Sequence, residues 1–155
     1  MQAQSITAVT FFSRSGPPKL RLTWLRSDPC IGYTFSEVQF PFRKLVILGD
    51  TYDPAPILPL CINPSPTLLI HEATDSHISH HADPSGKLSR RTASEVHQKA
   101  LSRGHSVPEM AGTFAKQVDA QDLVLNHIGG RYTLPIFLFT VRYRSDHYFQ
   151  IPCTS

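Results

Sequence analysis

With 155 residues, 41% of them hydrophobic and 17% charged, the chain has enough apolar material for one packed domain and too few charges for a disordered one. Fifteen basic against twelve acidic residues leave a net charge of +3, compatible with a polyanionic partner without requiring one. Cys30, Cys61 and Cys153 are widely spaced with no CxxC pair, which argues against a disulfide framework or a cysteine zinc site and for an intracellular chain.

From the N-terminus, residues Met1 to Ser27 contain Arg14, Lys19, Arg21 and Arg26 and no acid, the charge bias of a mitochondrial leader, although Pro17 and Pro18 break any long amphipathic helix there. Lys19 to Trp24 alternates polar and apolar residues in the manner of an edge strand. Lys44 to Leu48 is a short apolar run ending at Gly49-Asp50, and Thr67 to Ile70 is another, ending at His71-Glu72; both read as buried strands. A polar insert from Asp75 to Arg91 follows, carrying His77, His80 and His81; with no carboxylate pattern beside them, these read as a solvated loop and not as a metal site.

The second half is more regular. Thr92-Ala93-Ser94-Glu95 has capping-box spacing, Val96, Ala100 and Leu101 supply an apolar stripe, and Gly104 is a natural stop, predicting a helix of about three turns. Ser106-Val107-Pro108-Glu109 repeats the signal, with Met110, Ala111, Phe114 and Val118 as the inward face of a second helix. Asp122 to Asn126 reads as a third buried strand, with His127 at its end and Gly129-Gly130 behind it. Leu134 to Val141 is β-prone and apolar, but Pro135 and Thr140 interrupt it and it falls far short of the roughly 18 residues a membrane helix needs, so no membrane partner is expected.

Three strands thus end in Asp50, in His71-Glu72 and in His127. Loops beyond strand ends are where reactive side chains gather above a rigid sheet, and a carboxylate with a neutral imidazole suits zinc. Taken singly, Asp50 reads equally as a turn residue and His127 as a hydrogen-bonded structural histidine.

The motifs Leu45-Val46-Ile47-Leu48-Gly49-Asp50-Thr51, His71-Glu72-Ala73-Thr74, Gly104-His105-Ser106 and Leu125-Asn126-His127-Ile128-Gly129-Gly130-Arg131-Tyr132 occur in an order that resembles tRNase Z, most closely the C-terminal catalytic part of its long eukaryotic form. The resemblance implies a fold and a function: the α/β metallo-β-lactamase αββα sandwich, of which this sequence covers roughly the C-terminal half, and zinc-dependent removal of the 3′ trailer from precursor tRNA. It covers residues 42–132, leaving 1–41 as an unassigned basic leader and 133–155 as an unassigned tail. By the same resemblance Asp50 matches the carboxylate that bridges two zinc ions, His127 the last ligand of one of them, and His105 the proton donor to the departing ribose oxygen. Glu72 matches the acid that works with it. Val107 replaces a threonine of the family motif and removes a hydroxyl. Arg131, with Tyr132 beside it, is a candidate for pairing with a substrate phosphate.

The resemblance also sets a limit. No histidine occurs between Met1 and Pro41, where the family's His-x-His-x-Asp-His motif is expected, and five of the family's ligand positions have no counterpart in this sequence. The expectation is therefore a truncated tRNase Z, inactive as an isolated chain unless a second chain supplies the missing ligands. The alternative is a non-catalytic remnant or interaction module without zinc. A general nucleic-acid-binding domain is a weaker reading, because Arg90, Arg91, Arg103 and Arg131 are dispersed. Expected compartments are the nucleus or the mitochondrion, with the cytosol open.

Overall fold

The computed structural model describes residues 4–11, 20–27, 30–130 and 140–141, with side chains described at 20–23 and 31–130. Among these, seven strands form one sheet in chain order: β1 (Gln4–Phe11), β2 (Leu20–Ser27), β3 (Cys30–Glu37), β4 (Lys44–Leu48), β5 (Leu68–Glu72), β6 (Asp122–Asn126) and β7 (Thr140–Val141). The first four run antiparallel, so short turns suffice between them. From β4 to β6 the strands are parallel, which demands crossovers. A 3-10 turn (Ala55–Ile57) and α1 (Leu58–Cys61) make the first; α2 (Ala93–Leu101) and α3 (Pro108–Gln117) make the second. No helix among the described residues is long and apolar enough to cross a membrane.

The stretch from Leu20 to Trp24 is not at an edge: β2 lies between β1 and β3. Its second neighbour carries the period-two signal of Ile31, Tyr33 and Phe35 alternating with Gly32, Thr34 and Ser36, and pairing with β4 from Gly32↔Leu48 to Ser36↔Lys44 fixes its register.

The predicted strands and helices of the second half form where the apolar pattern places them. Val46, Leu48, Leu69 and Leu123 point to the helical side and pack with Ile57, Cys61, Phe114, Ala115 and Val118 in the main core. Val96, Ala100 and Val107 make a smaller cluster that joins α2 to α3, with Met110 against it. The other sheet face carries Tyr33, Leu45, Ile47, Leu68, Ile70 and Val124, half-buried or exposed and outside both clusters. Of the expected Leu134 to Val141 segment, residues 134–139 lie outside the described set; Val124↔Thr140 and Leu123↔Val141 pair its end with β6.

Capping sets the helix ends. Thr92 accepts from the Glu95 N–H while Glu95 accepts from the Thr92 N–H, a complete capping box. Gly104, at φ +77°, closes α2: its N–H reaches Leu101 O and the His105 N–H reaches Ala100 O, both at 3.0 Å. The end of this helix therefore delivers His105. At α3 the expected cap is absent, because Val107 occupies the N-cap and Ser106 bonds elsewhere.

Two buried ionisable groups lie on the helical face. Lys44 is 3% exposed, and its Nζ donates to Leu60 O, Cys61 O and Pro64 O at 2.9, 2.9 and 3.2 Å; burial pushes the ammonium below its usual pKa. His71 is fully buried, edge-on to Phe114, with Nδ1 2.8 Å from Glu72 O and no partner on Nε2. Desolvation lowers its pKa, so it is neutral in the fold and protonates more readily in the unfolded chain. Stability is therefore expected to be complete above the unfolded value near 6.5 and to fall with pH below it, by at most about 1.4 kcal/mol per pH unit from this group. Urea midpoints of wild type and His71→Gln between pH 7.5 and 5 check this: the variant should have the shallower slope.

Candidate metal centre

Asp50, Glu72, His105 and His127 come from the end of one strand and from three separate loops, and the parallel sheet brings them together. Asp50 follows β4 through Gly49, whose N–H donates to Ile31 O at 2.8 Å; Glu72 ends β5; His127 follows β6. Parallel strands place their C-terminal ends on one edge of the sheet, and α2 ends at the same edge.

Glu72 is the hub. It is 1% exposed, and its Oε1 accepts from the Ser106 N–H at 2.5 Å and the Thr51 N–H at 3.4 Å. Oε2 accepts from the Thr74 N–H at 3.0 Å and the Thr74 hydroxyl at 2.9 Å. Ser106 gives its hydroxyl to Thr51 O, so the loops after β4, β5 and α2 are tied in one network. This is why Ser106 does not cap α3: a buried carboxylate and a buried carbonyl outcompete a helix terminus that Pro108 has already relieved of one donor. Thr51 enters the network through its backbone and Thr74 through its N–H and hydroxyl, roles that the sequence motifs alone do not reveal.

Above the hub sit the three exposed or half-buried groups. His127 Nδ1 is 2.9 Å from Asp50 Oδ1 and 3.1 Å from Thr74 Oγ1. His105 Nδ1 is 3.6 Å from Glu72 Oε1 and 3.9 Å from Asp50 Oδ2, and has no hydrogen-bond partner although it is buried. The two imidazoles meet at 5.1 Å between centroids. His127 adopts φ +55°, a left-handed conformation that histidine tolerates better than most residues. It is held there by Ala73 N–H donating to Asn126 O and Gly129 N–H donating to Thr74 O, both at 3.0 Å. One ligand atom from each of Asp50, His105 and His127 lies within 4.8 Å of the others, the group among the described residues with the composition and spacing for a metal ion.

The insert histidines do not join this group. Asp83 organises their loop: it accepts from Ser85 Oγ at 2.5 Å, Leu88 N–H at 2.6 Å and Ser89 N–H at 3.0 Å, which hold its carboxyl down at about 2. His80 Nδ1 lies 3.0 Å from Ser89 Oγ, and Arg91 grips Asp75 with two hydrogen bonds of 2.8 and 3.0 Å. A cleft that shares His105 with this group is lined by Thr74, Asp75, Lys99, Ala100, Arg103, His105, Gly129 and Gly130. In sequence Lys99 was unremarkable and Arg103 only one of several dispersed arginines; α2 and its closing turn bring both to the cleft. Arg131 and Tyr132 lie outside the described residues.

No family model matches the chain. It is 39% identical over 95 residues to zinc phosphodiesterase ELAC protein 1 of Bos taurus, covering 58% of this chain and 20% of the relative. To ribonuclease BN of Proteus mirabilis it is 29% identical over 102 residues, covering 66% of this chain and 27% of the relative. Among solved structures, human tRNase Z, short form, matches with a TM-score of 0.56 at 29% identity, over 87% of this chain and 46% of that one. A long-form RNase Z from yeast shares the fold, with a TM-score of 0.52 at 20% identity over 76% of this chain and 14% of that one. The chain thus spans about a fifth to a quarter of the curated relatives it matches.

Proposed function

We propose, on the premise that this chain is homologous to part of tRNase Z, a family with the metallo-β-lactamase fold, that it carries one part of a zinc-dependent endoribonuclease site for the 3′ trailer of precursor tRNA. The observation that carries this reading is the convergence of Asp50, His105 and His127 over the buried Glu72 network. Donor chemistry fits zinc, since two imidazoles and a carboxylate are common zinc ligands. Asp50 and His127 would hold the metal, which supplies positive charge against the phosphate under attack.

The remaining residues bind, orient and move a proton. Thr74 links Glu72 Oε2 to His127 Nδ1 and so fixes the ring. His105, with Glu72 3.6 Å from its Nδ1, is placed to protonate the leaving ribose oxygen in the assembled enzyme, a task for which imidazole is suited near neutral pH. Lys99 and Arg103 flank the cleft and would meet the phosphodiester backbone. Arg131 is proposed to pair with a substrate phosphate.

Two ligands do not complete a two-metal hydrolytic site. The isolated chain is therefore proposed to be inactive and to need a second polypeptide carrying the other ligands. The test is cleavage of a 3′-extended precursor tRNA in zinc by the 155-residue chain alone, by the chain mixed with the remaining part of a tRNase Z, and by the mixture with Asp50→Ala. The expected outcome is no cleavage alone, cleavage in the mixture, and a loss of at least 100-fold with Asp50→Ala. A mixture that forms a complex and leaves the RNA intact would sink the reading in favour of a non-catalytic module.

A further inference from the structure

We infer that this chain, by itself, binds a single divalent cation, with His105 as the third protein ligand beside Asp50 and His127. The inference rests on the reading of Asp50 and His127 as metal ligands and departs from it at His105. Three donors, one from each residue, lie within 4.8 Å of one another. Around one zinc ion, tetrahedral N and O ligands at 2.0–2.1 Å stand about 3.3 Å apart. His127 Nδ1 faces one Asp50 oxygen at 2.9 Å and His105 Nδ1 faces the other at 3.9 Å, so both rings already stand near that spacing from the carboxylate, and Asp50 is 60% exposed and free to turn one oxygen to an ion.

A second ion does not fit. Each catalytic zinc takes about three protein ligands, and among the described residues this cluster offers three in all. His105 supplies independent support. Its Nδ1 is buried without a hydrogen-bond partner in a ring otherwise well placed, a condition that costs stability unless something answers it. Coordination by one nitrogen answers it in either of two ways. Nδ1 itself takes the ion, or Nε2 takes the ion and the proton on Nδ1 turns to Glu72 Oε1, 3.6 Å away, as ligating histidines commonly do with a carboxylate. Glu72 is held by Ser106, Thr51 and Thr74 and stays in a supporting place.

A histidine that ligates through one nitrogen is withdrawn from proton transfer at that atom. Ligation by His105 therefore keeps the lone chain in a three-ligand form, and further ligands from a second polypeptide would release His105. A set of one carboxylate and two histidines with open positions also suits other first-row ions, so cobalt(II) serves as a coloured probe.

The experiment is equilibrium dialysis of the 155-residue chain against cobalt(II) and zinc(II), read as ions bound per chain, with imidazole NMR of the zinc titration. Expected are one ion per chain and shifts of the His105 and His127 rings, while His71 and His80 stay in place. His105→Gln, its fold checked by circular dichroism, is expected to weaken cobalt binding at least 100-fold, beyond the 10–100-fold typical of an outer-shell change. Any of three results overturns the inference: two ions per chain, no ion on the folded chain, or an unmoved His105 ring with His105→Gln binding within threefold of wild type. No RNA is present, so these results are separate from the cleavage test: one ion bound with an inert mixture fells only the proposed activity, and an active mixture with His105 unligated fells only this inference.

Discussion

Glu72→Ala is expected to cost the fold about 3 to 5 kcal/mol, although the side chain belongs to no hydrophobic cluster. Removing it leaves the N–H groups of Ser106, Thr51 and Thr74 without their acceptor. A buried donor stripped of its partner costs about 1 to 3 kcal/mol, and the Ser106 amide is fully buried with no route to bulk water. Thr74 is only partly buried, so water recovers part of its loss. Glu72→Gln tests the charge separately. The amide keeps one acceptor oxygen but turns an NH2 group toward donors, which is expected to cost about 2 kcal/mol. Urea unfolding of the two variants at pH 7.5 checks both figures. If Glu72→Ala costs less than 1 kcal/mol, the network does not hold the loops, and the site geometry must be set by the strands alone.

The second large effect lies outside the site. A Cβ added at Gly32 would sit 2.5 Å from Ile47 O and 2.9 Å from Leu48 Cδ2, closer than any side chain tolerates, and one obstacle is backbone. Gly32↔Leu48 is also where β3 pairs with the end of β4. Gly32→Ala must therefore prise the two strands apart or displace Leu48 in the main core, at a cost of about 3 kcal/mol. The damage runs on to Asp50, because the Gly49 N–H bonds to Ile31 O beside the clash. Gly130→Ala, which meets nothing within 4 Å, is the control and should stay within about 0.5 kcal/mol of wild type. Thermal melts of the pair separate steric clash from generic loss of glycine.

Local signals made the parallel half of the sheet legible. Lys44 to Leu48, Leu68 to Glu72 and Asp122 to Asn126 are short apolar runs between polar punctuation, and Thr92 with Glu95 marks α2 unambiguously. What could not be read is whatever a distant partner decides. Lys44 heads an apolar strand and is buried because three carbonyls from the α1 region converge on its ammonium. Ser106 has the local credentials of a helix cap and spends its groups on Glu72 and Thr51 instead. Ile31, Tyr33 and Phe35 did carry a strand signal, overshadowed by the prolines and turns around them. At the site, Asp50 and His127 were legible through family resemblance and not through spacing. The closeness of His105 to Asp50 depends on the turn at Gly104, and the approach of Lys99 and Arg103 to the cleft on where α2 packs.

The contacts that tie the site span long stretches of chain: 34 residues from Glu72 to Ser106, 55 from Thr51 to Ser106 and 53 from Thr74 to His127. Closing such loops costs entropy before any contact repays it, so they form late, after the local helices and hairpins. During synthesis Asp50 and Glu72 leave the ribosome long before His127 does, and β6 has no place in the sheet until then. The proposed ion affinity should therefore arise with insertion of that strand, which makes cobalt colour a stopwatch for the docking of β6.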